Sequence, residues 1–374
     1  MLLSYHTEPC TYTLAALPDP RIQELARLLV ERCVDVQPGW QVLVHGNPQA
    51  RPLIDEICAQ IGRRGAYALL RLRLEFPPNA TWIAEVSEDV LAELTEIEKH
   101  DYAAMDAYLV VQAPENTRDG QEVPAERLGL RQKSIRPHMM KVFEGTLPWV
   151  GLDYPTPALA QDAGMTFAEF KEFYWGAMLV DWEALAEKMR RIADRFDAGN
   201  EVRIVAEGTD IRFSLEDRHG FVDALGANMP GGEIFYSPVE DSAEGVIAYS
   251  EYPACYLGHE VGGVRFRFEG GRIVEASAES DEEFLLGLLD TDEGARRLGE
   301  FGIGCNPGIQ AHMRNTLFDE KIEGTIHLAI GQGFSYLNGT NSSGIHWDMV
   351  KELRRGGRIE LDGAVIQENG EWRL

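Results

Sequence analysis

The feature that most constrains the fold is the regular alternation of helix and strand signals in the first half of the chain. Strands that alternate with helices are typical of βαβ units, which build a parallel sheet. Short apolar stretches predict strands, and apolar residues at helical spacing predict helices. In chain order they are a helix at 21–33, a strand at 41–45, a helix at 52–61, a strand at 67–72, a helix at 89–98, a strand at 107–112 and helical spacing over 167–196.

The second half of the chain instead contains short strands joined by glycine turns. Glu269-Gly270-Gly271 separates two alternating stretches and predicts a hairpin. Asp362-Gly363 and Asn369-Gly370 divide the C-terminal residues into a three-stranded meander. One helix is predicted from Glu293 to Phe301, with Thr291 or Asp290 as its N-cap.

The change of pattern predicts two domains. A chain of 374 residues exceeds the length at which one hydrophobic core usually stops growing. Asp197-Ala198-Gly199 ends the last helical run of the first half. We therefore predict an α/β N-terminal domain with a parallel sheet at residues 1–199, followed by a mainly β (α+β) C-terminal metal-binding domain at residues 200–374.

Charge and cysteine usage exclude several classes of protein. The formal net charge is −26, and no cluster of Lys and Arg forms the basic surface that nucleic acid or an anionic membrane requires. The cysteines have neither CxxC spacing nor an even number, which fits a reducing compartment. We see no signal peptide and no apolar run near the ~18 residues of a bilayer span, so we expect a cytoplasmic protein. The cysteines are Cys10, Cys33, Cys58, Cys255 and Cys305.

Common catalytic motifs are absent from the sequence. There is no GxGxxG after the first strand, no GxxxxGK[ST], no GxSxG and no HExxH, so nucleotide binding and these hydrolase types have no support. His259 and Glu260 are adjacent, but neighbours on a strand point to opposite faces, so we expect them not to be metal ligands.

Two C-terminal stretches place histidines where they could bind a metal. In GTIHLAIG, a strand would put His327 on one face with the small residues Thr325 and Ala329. In IHWDMV, His346 and Asp348 are two residues apart and share a face of an extended chain. An imidazole and a carboxylate that project together are suitable for half of a metal site.

Three acids add to these candidates. Glu233 begins a strand after a tight turn, and Glu320 precedes the strand that carries His327. Glu300 would lie at the end of the predicted helix, where the helix dipole disfavours an acid. Either a metal or one of Arg296 and Arg297 should compensate its charge.

These stretches resemble the thermophilic metalloaminopeptidases, also called the aminopeptidase T family. The resemblance covers residues 228–350 in the family's order, and the N-terminal half is similar in outline through VQPGWQVLVHGNPQARPLIDEI. The matching stretches are NMPGGEIFYSPVEDSAEGVI, DTDEGARRLGEFGIGCNPGI, LFDEKIEGTIHLAIG and GTNSSGIHWDMV.

The resemblance implies two divalent metal ions per chain, zinc, cobalt or manganese, and a homodimer that cleaves N-terminal residues from peptides. It implies broad specificity that often favours leucine. A pair of such ions can activate a water and polarise the scissile carbonyl. The implied ligands are Glu233, Glu300, His327, His346 and Asp348, with Glu300 as the bridge and Glu320 as a further ligand.

One position departs from the family's pattern. The family usually has a tyrosine seven residues beyond the strand histidine, and this chain has Phe334 there. The hydroxyl that would bind the tetrahedral intermediate could come from Tyr336 instead, so Tyr336 is the candidate catalytic residue.

Two other readings remain open. His327, His346 and Asp348 form a two-histidine, one-carboxylate set that suits a mononuclear non-haem iron ring-cleaving dioxygenase, and a dihydroxypyridine dioxygenase is related to the family. The other reading is a non-catalytic homologue that retains the metal ligands.

Overall fold

The parallel sheet expected in the first half is present in the computed structural model, which describes residues 19–74, 78–143 and 145–373. Its strands follow the order β2-β1-β3-β4-β8, and each neighbouring pair is parallel. The strands are β1 (Gln41–Gly46), β2 (Tyr67–Leu72), β3 (Ala107–Gln112), β4 (Trp149–Asp153) and β8 (Asn228–Met229).

Helices cover the parallel sheet and lead into the second half. Local signals fix several of their ends: Asp19 accepts a hydrogen bond from the Arg21 amide at the start of α1, and Thr166 and Glu169 form a capping box on α9. The helices of this half are α1 (Pro20–Leu28), α2 (Arg51–Arg63), α3 (Ala80–Glu85), α4 (Glu88–Leu91), α5 (Glu96–Ala104), α6 (Ala125–Ile135), α7 (Met140–Phe143), α8 (Pro157–Asp162), α9 (Phe167–Met178) and α10 (Trp182–Asp197).

A large antiparallel sheet forms much of the second half. Its order is β14-β13-β10-β6-β5-β18-β19-β20, and it contains both predicted glycine hairpins. The strands are β5 (Glu201–Ala206), β6 (Thr209–Ser214), β10 (Glu244–Tyr249), β13 (Val264–Glu269), β14 (Arg272–Ser277), β18 (Arg358–Leu361), β19 (Ala364–Glu368) and β20 (Glu371–Trp372).

A second antiparallel sheet carries the candidate ligands, and we call it the ligand sheet. Its order is β17-β16-β15-β9-β7, and a small pair, β11-β12, lies apart from it. The remaining elements are β7 (Phe221–Asp223), β9 (Glu233–Tyr236), β11 (Ala254–Tyr256), β12 (His259–Val261), α11 (Glu282–Leu289), β15 (Leu298–Gly304), α12 (Thr316–Asp319), β16 (Thr325–Gly331) and β17 (His346–Glu352).

The fold class is therefore confirmed, a parallel sheet with helices followed by mainly antiparallel sheets. One hydrophobic core runs through both halves and includes Leu53 beside β1, Phe196 on α10 and Trp347 on β17. The boundary at Gly199 stays a prediction. Strand β8 belongs to the parallel sheet although its residues, Asn228 and Met229, lie beyond that boundary.

Three predicted helices differ from the structure. The helix expected over 293–301 is wrong: Gly294–Arg296 form one 3-10 turn and Leu298–Gly304 form β15. The helix of this region lies earlier, at Glu282–Leu289. The stretch 89–98 is divided between α4 and α5, and the run 167–196 is divided between α9 and α10.

The described cysteines, Cys33, Cys58, Cys255 and Cys305, are free thiols. Cys10 lies outside the described residues, as do the first 18 residues of the predicted N-terminal domain and Leu374 at the end of the second. Among the described residues, we find no helix that is both long and apolar enough to cross a membrane.

Candidate metal centre

Strand alternation brings the two histidines to the same face of the ligand sheet. On β16, His327 and Ala329 share one face, and the larger aliphatic residues turn to the core. Asp348 of β17 lies opposite Ala329, and His346 lies opposite Gly331. The pairing of adjacent strands therefore assembles the side chains that the sequence placed in two separate stretches.

A β-bulge brings Glu300 to that face. Leu298 pairs with Ile330 on the core side, and Glu300 pairs with Ala329 on the ligand side, so the register shifts by one residue between them. In a regular strand Leu298 and Glu300 would point to the same face, because they are two residues apart and strand side chains alternate. The bulge thus buries Leu298 in the core and presents Glu300 to the histidines.

A glycine makes room for the imidazole of His327. Gly302 lies opposite His327 in the β15–β16 pairing. A Cβ at Gly302 would lie 1.9 Å from His327 Nε2 and 2.0 Å from Cε1, closer than any real contact. The position excludes side chains, and the ring of His327 therefore lies directly over β15.

The first group of possible ligands is Glu233, Glu300 and His327. One ligand atom from each lies within 4.8 Å of the others. His327 Nε2 is 3.3 Å from Glu300 Oε1 and 3.5 Å from Glu233 Oε2. All three side chains are buried.

The second group is Glu300, His346 and Asp348, within the same limit of 4.8 Å. His346 Nε2 is 3.0 Å from Glu300 Oε2 and 3.5 Å from Asp348 Oδ2. The other ring nitrogen, Nδ1, is 2.8 Å from the carbonyl oxygen of Gln332. When Nδ1–H donates to this carbonyl, Nε2 presents its lone pair to the centre, as in histidines that bind metals.

Burial and mutual charge shift the pKa values of the cluster in opposite directions. Burial raises the pKa of Glu233 and of Asp348. Burial also disfavours the anion of Glu300, but hydrogen bonds from His327 and His346 outweigh it and lower the pKa of Glu300. Burial by itself lowers the pKa of both histidines, yet the neighbouring carboxylates raise it.

The residues present fit a bound divalent cation. Glu233 Oε2 and Asp348 Oδ1 are buried and have no hydrogen-bond partner among the described residues. Buried oxygens without partners are costly, and a cation would satisfy both. The donors are carboxylates and imidazoles without a thiolate, a set that suits zinc, cobalt or manganese.

The structure does not bring Glu320 into either group of described ligands. Its Oε2 accepts a hydrogen bond from Lys321 Nζ at 2.6 Å. Of the two alternatives for compensating the charge of Glu300, a metal or one of Arg296 and Arg297, the arginines have other partners. Arg296 pairs with Asp290, Arg297 donates to the Glu240 carbonyl, and Glu300 instead meets the two histidines described above.

Tyr336 lies at the rim of the centre. Its ring is 57% exposed and packs against Phe334, with ring centroids 5.4 Å apart. Phe334 in turn packs against the His346 ring at 5.3 Å. The Phe334 amide donates to the Ser237 hydroxyl, which donates to the Gly299 carbonyl, so the loop is fixed to the bulge.

His259 and Glu260 lie outside both ligand groups of the described residues. His259 Nδ1 is 2.7 Å from Asp281 Oδ2, and its ring stacks on Phe284. Glu260 pairs with Arg314 at 3.2 Å.

Sequence reasoning missed two charged residues beside the centre. Lys321 is fully buried, 2.9 Å from Glu233 Oε1. Asp223 lies opposite Glu233 on β7, is buried, and has an Oδ1 without a hydrogen-bond partner among the described residues. Burial raises the pKa of Asp223 to about 6. For Lys321, the adjacent acid at position 320 is a sequence signal that an ion pair could form there. Asp223 precedes Glu233 by ten residues, and no local pattern in the sequence marks it.

A cavity beside the centre does not include the ligand groups. This cavity has a volume of about 590 Å³ and lies between β3, β4, the β11–β12 pair and the loop that contains Arg314. A second cavity of about 10 Å³, room for about one water, is lined by Asp348 and Glu320. Cys255 and Thr316 line both cavities, so the small cavity at the ligand cluster and the large one are neighbours.

The carboxylate–imidazole cluster is of the kind that binds divalent metal ions in metalloproteases. The sequence matches the family described as thermophilic metalloprotease (M29) over residues 18–372. The chain belongs to that family and is a hydrolase.

Two curated relatives illustrate the match. Aminopeptidase T of Thermus aquaticus is 32% identical over 302 aligned positions, and the match covers 67% of this chain and 72% of that protein. Aminopeptidase AmpS of Bacillus subtilis (strain 168) is 34% identical over 220 aligned positions, and the match covers 50% of this chain. The AmpS match spans only 52% of the length of that protein.

Two solved structures share the fold. Wild-type AmpT from Thermus thermophilus aligns with a TM-score of 0.80 at 23% identity, covering 95% of this chain and 99% of that one. The 2,5-dihydroxypyridine dioxygenase of Pseudomonas putida KT2440 aligns with a TM-score of 0.62 at 14% identity, covering 94% and 96%. At these identities the likeness concerns the fold alone.

Proposed function

We propose that this chain is a metal-dependent aminopeptidase that removes N-terminal residues from peptides, with broad specificity and a preference for leucine. The family and the names of the curated relatives support this reaction. The observation that carries the proposal is the position of Glu300. Its two oxygens face two different histidines, and it belongs to both ligand groups.

The proposed centre binds two divalent ions, zinc, cobalt or manganese. Glu233, His327 and Glu300 would hold one ion, and Glu300, His346 and Asp348 would hold the other. When bound, such a pair supplies an activated water and a polarised scissile carbonyl. The chain's own part is to hold these ligand side chains in position. Three features do this: the bulge at Gly299, the space at Gly302 and the carbonyl of Gln332.

Tyr336 is the residue that we propose to hydrogen-bond the tetrahedral intermediate. The side chain of Phe334 cannot donate a hydrogen bond. Tyr336 carries a hydroxyl, and its ring packs against Phe334, which itself packs against His346. Rotation of an exposed side chain is fast, so the hydroxyl can approach a substrate that His346 borders.

The cavity of about 590 Å³ is the place that we propose for the rest of the peptide. Its volume lies within the usual range of ligand pockets. Trp149, Phe170 and Tyr256 give it apolar walls, and the guanidinium of Arg118 has no ion-pair partner among the described residues. A peptide bound there would reach the ligand cluster past Cys255 and Thr316.

We also propose a cytoplasmic homodimer. The free cysteines among the described residues support a reducing compartment. Strand β2 is an edge strand of the parallel sheet, and it exposes Tyr67 and Leu72, with Leu74 just beyond it. An exposed apolar sheet edge is suited to contact with another chain, so we assign the dimer contact to this edge.

The test combines metal stoichiometry with hydrolysis. Protein purified without chelator should contain about two divalent ions per chain by mass spectrometry, and Co²⁺ should stimulate hydrolysis of leucyl-p-nitroanilide. His346→Ala should abolish hydrolysis and lower the metal content, because it removes a ligand of one ion. His100→Ala is the matched control, since His100 is exposed on α5, and it should change neither quantity.

The same measurement separates the second candidate function. The fold shared with a dioxygenase allows a mononuclear iron centre held by His327, His346 and Asp348. One iron per chain without hydrolysis would replace the aminopeptidase by this ring-cleaving reaction. Two ions without hydrolysis of any aminoacyl-p-nitroanilide would instead identify a non-catalytic metal-binding homologue.

A further inference from the structure

Lys321 is a buried cation in contact with one of the candidate ligands. Its side chain has no exposed surface, and its Nζ lies 2.9 Å from Glu233 Oε1 and 2.6 Å from Glu320 Oε2. A buried ammonium is tolerated only when it is paired and hydrogen-bonded. These two carboxylates fulfil that condition, so the three side chains form one ion-paired unit beside the centre.

The backbone holds Lys321 in this place. Its amide donates to the carbonyl of Phe318 at the end of α12, and its carbonyl accepts from the amide of Asn306. Asn306 in turn donates through its side chain to the carbonyl of Gly231, two residues before Glu233. Lys321 and Glu233 are therefore attached to the same buried framework.

The contact divides the two oxygens of Glu233 between different partners. Oε1 is bound by the Lys321 ammonium, whereas Oε2 lies 3.5 Å from His327 Nε2 and has no hydrogen-bond partner among the described residues. A free carboxylate can bind a cation through one oxygen or both. With Oε1 already occupied, Oε2 alone remains for the centre.

Glu320, which the resemblance implies as a further ligand, is the second carboxylate in contact with this ammonium. It lies outside both ligand groups of the described residues, and its carboxylate is directed to Lys321. It supplies the second negative charge that the buried ammonium requires.

We propose that Lys321 is a positioning residue, held by Glu320, that restricts Glu233 to binding one metal ion through Oε2 only. This inference rests on the proposed metal centre and assigns it two residues that do not themselves bind the ions. Residues that orient metal ligands typically change metal affinity by about 10–100-fold when they are replaced.

In the experiment, metal-free protein is titrated with Co²⁺. Calorimetry measures the affinity, and the visible absorption spectrum reports the coordination number of the bound Co²⁺. Lys321→Met should weaken Co²⁺ binding by about 10–100-fold, because Glu233 loses the contact that orients it. It should also lower the absorption, because Glu233 becomes free to bind through both oxygens. It should reduce kcat for leucyl-p-nitroanilide with little change in KM, and Lys321→Arg should restore part of the affinity.

Two further variants keep the result interpretable. Glu320→Gln retains a hydrogen-bond acceptor for Lys321, so it should fold, keep two ions per chain and show a smaller spectral change of the same kind. Lys188→Met removes a partly exposed lysine–glutamate ion pair outside the ligand groups, the one with Glu323 at 2.7 Å, and should behave as wild type.

The outcomes separate this inference from the proposed function. Wild-type affinity and spectrum in both Lys321→Met and Glu320→Gln would overturn it while leaving the aminopeptidase intact. Loss of one ion per chain in Glu320→Gln would overturn it by making Glu320 a ligand. Failure of the wild-type protein to bind Co²⁺ would refute the metal centre itself, and this inference with it. If Lys321→Met does not fold, Glu320→Gln decides.

Discussion

Two buried histidines, one in each half of the molecule, occupy similar positions in their sheets and have opposite surroundings. His45 lies on β1 in the parallel sheet, and His327 lies on β16 in the ligand sheet. The Nδ1 of His45 contacts the Arg73 guanidinium and lies 2.8 Å from the Tyr108 hydroxyl. His327 instead faces the carboxylates of Glu233 and Glu300.

The neighbours decide what each imidazole can do. Burial, followed by the charges of Arg73 and Arg71, lowers the pKa of His45 to about 2, so its ring is neutral and its nitrogen is occupied. A cation placed there would meet a guanidinium. His327 has anionic neighbours, and Glu233 Oε2 beside it lacks a partner among the described residues. Burial of a histidine on a strand is therefore not a metal-site signal by itself, and the sign of the adjacent charge is what distinguishes the two.

The largest effect should come from the residue shared by both ligand groups. Glu300→Gln should lower leucyl-p-nitroanilide hydrolysis by about 1,000-fold or more and reduce the metal content, because one change weakens both ion sites. His45→Asn, the matched change in the parallel sheet, should retain two ions per chain and wild-type kcat, at a stability cost of about 1–3 kcal/mol.

Mass spectrometry of the bound metal and a urea unfolding curve measure both variants. The comparison fails if His45→Asn loses metal, since the parallel sheet would then contribute to the centre. It also fails if Glu300→Gln keeps two ions and normal turnover, because Glu300 would then be only a structural partner of the histidines.

A smaller effect on metal binding should distinguish Gly302 from Gly46, two glycines that each lie close to a side chain. A Cβ at Gly302 would lie 1.9 Å from His327 Nε2, whereas a Cβ at Gly46 of β1 would lie 2.4 Å from the flexible end of Ile54. Gly302→Ala must displace the imidazole and should weaken Co²⁺ binding by about 10–100-fold. Gly46→Ala should only strain the core, by about 1–3 kcal/mol, with normal metal binding.

Calorimetric titration with Co²⁺, together with thermal unfolding, distinguishes these results. Equal losses of stability with unchanged Co²⁺ affinity in both variants would show that the His327 ring tolerates displacement. The opening at Gly302 would then have no bearing on the centre.

The sequence could predict the parts of this picture that depend on local pattern. Alternation within GTIHLAIG places His327 among small residues on a buried strand, and the spacing of His346 and Asp348 puts both on one face. The parallel sheet followed from apolar strands separated by helices. Each of these predictions depends on the spacing of residues within single strands or helices, so contacts between distant parts of the chain are not needed to make it.

The sequence could not predict what the bulge and the nonlocal contacts decide. The extra residue, Gly299, interrupts the two-residue alternation of β15, so the sequence around Leu298 and Glu300 lacks a strand pattern. The sequence therefore predicts a helix there instead. From the sequence, Glu320 is a candidate ligand, and nothing is predicted for Lys321. Only the position of Glu233, nearly ninety residues earlier in the chain, shows that they form a buried ion-paired unit.

The smallest expected effect concerns how the stability of the metal-free protein depends on pH. The pKa of His45 is about 6.5 in the unfolded chain and lowered to about 2 in the folded protein. Below about pH 6.5 the unfolded chain binds a proton that the folded protein does not, so stability present above that pH is lost as pH falls. Between pH 7 and pH 5 this loss amounts to about 2 kcal/mol, or about 30-fold in the unfolding equilibrium.

Urea unfolding of chelator-treated wild type and His45→Asn at pH 7, 6 and 5 isolates this contribution, because the other titrating groups are common to both proteins. The stability advantage of the wild type should shrink by about 2 kcal/mol over this range. If the two proteins instead lose stability in parallel, His45 takes up its proton in the folded state despite Arg73. The two buried histidines would then differ in their neighbours but not in their charge, and charge sign would no longer explain why only one of them adjoins a candidate metal centre.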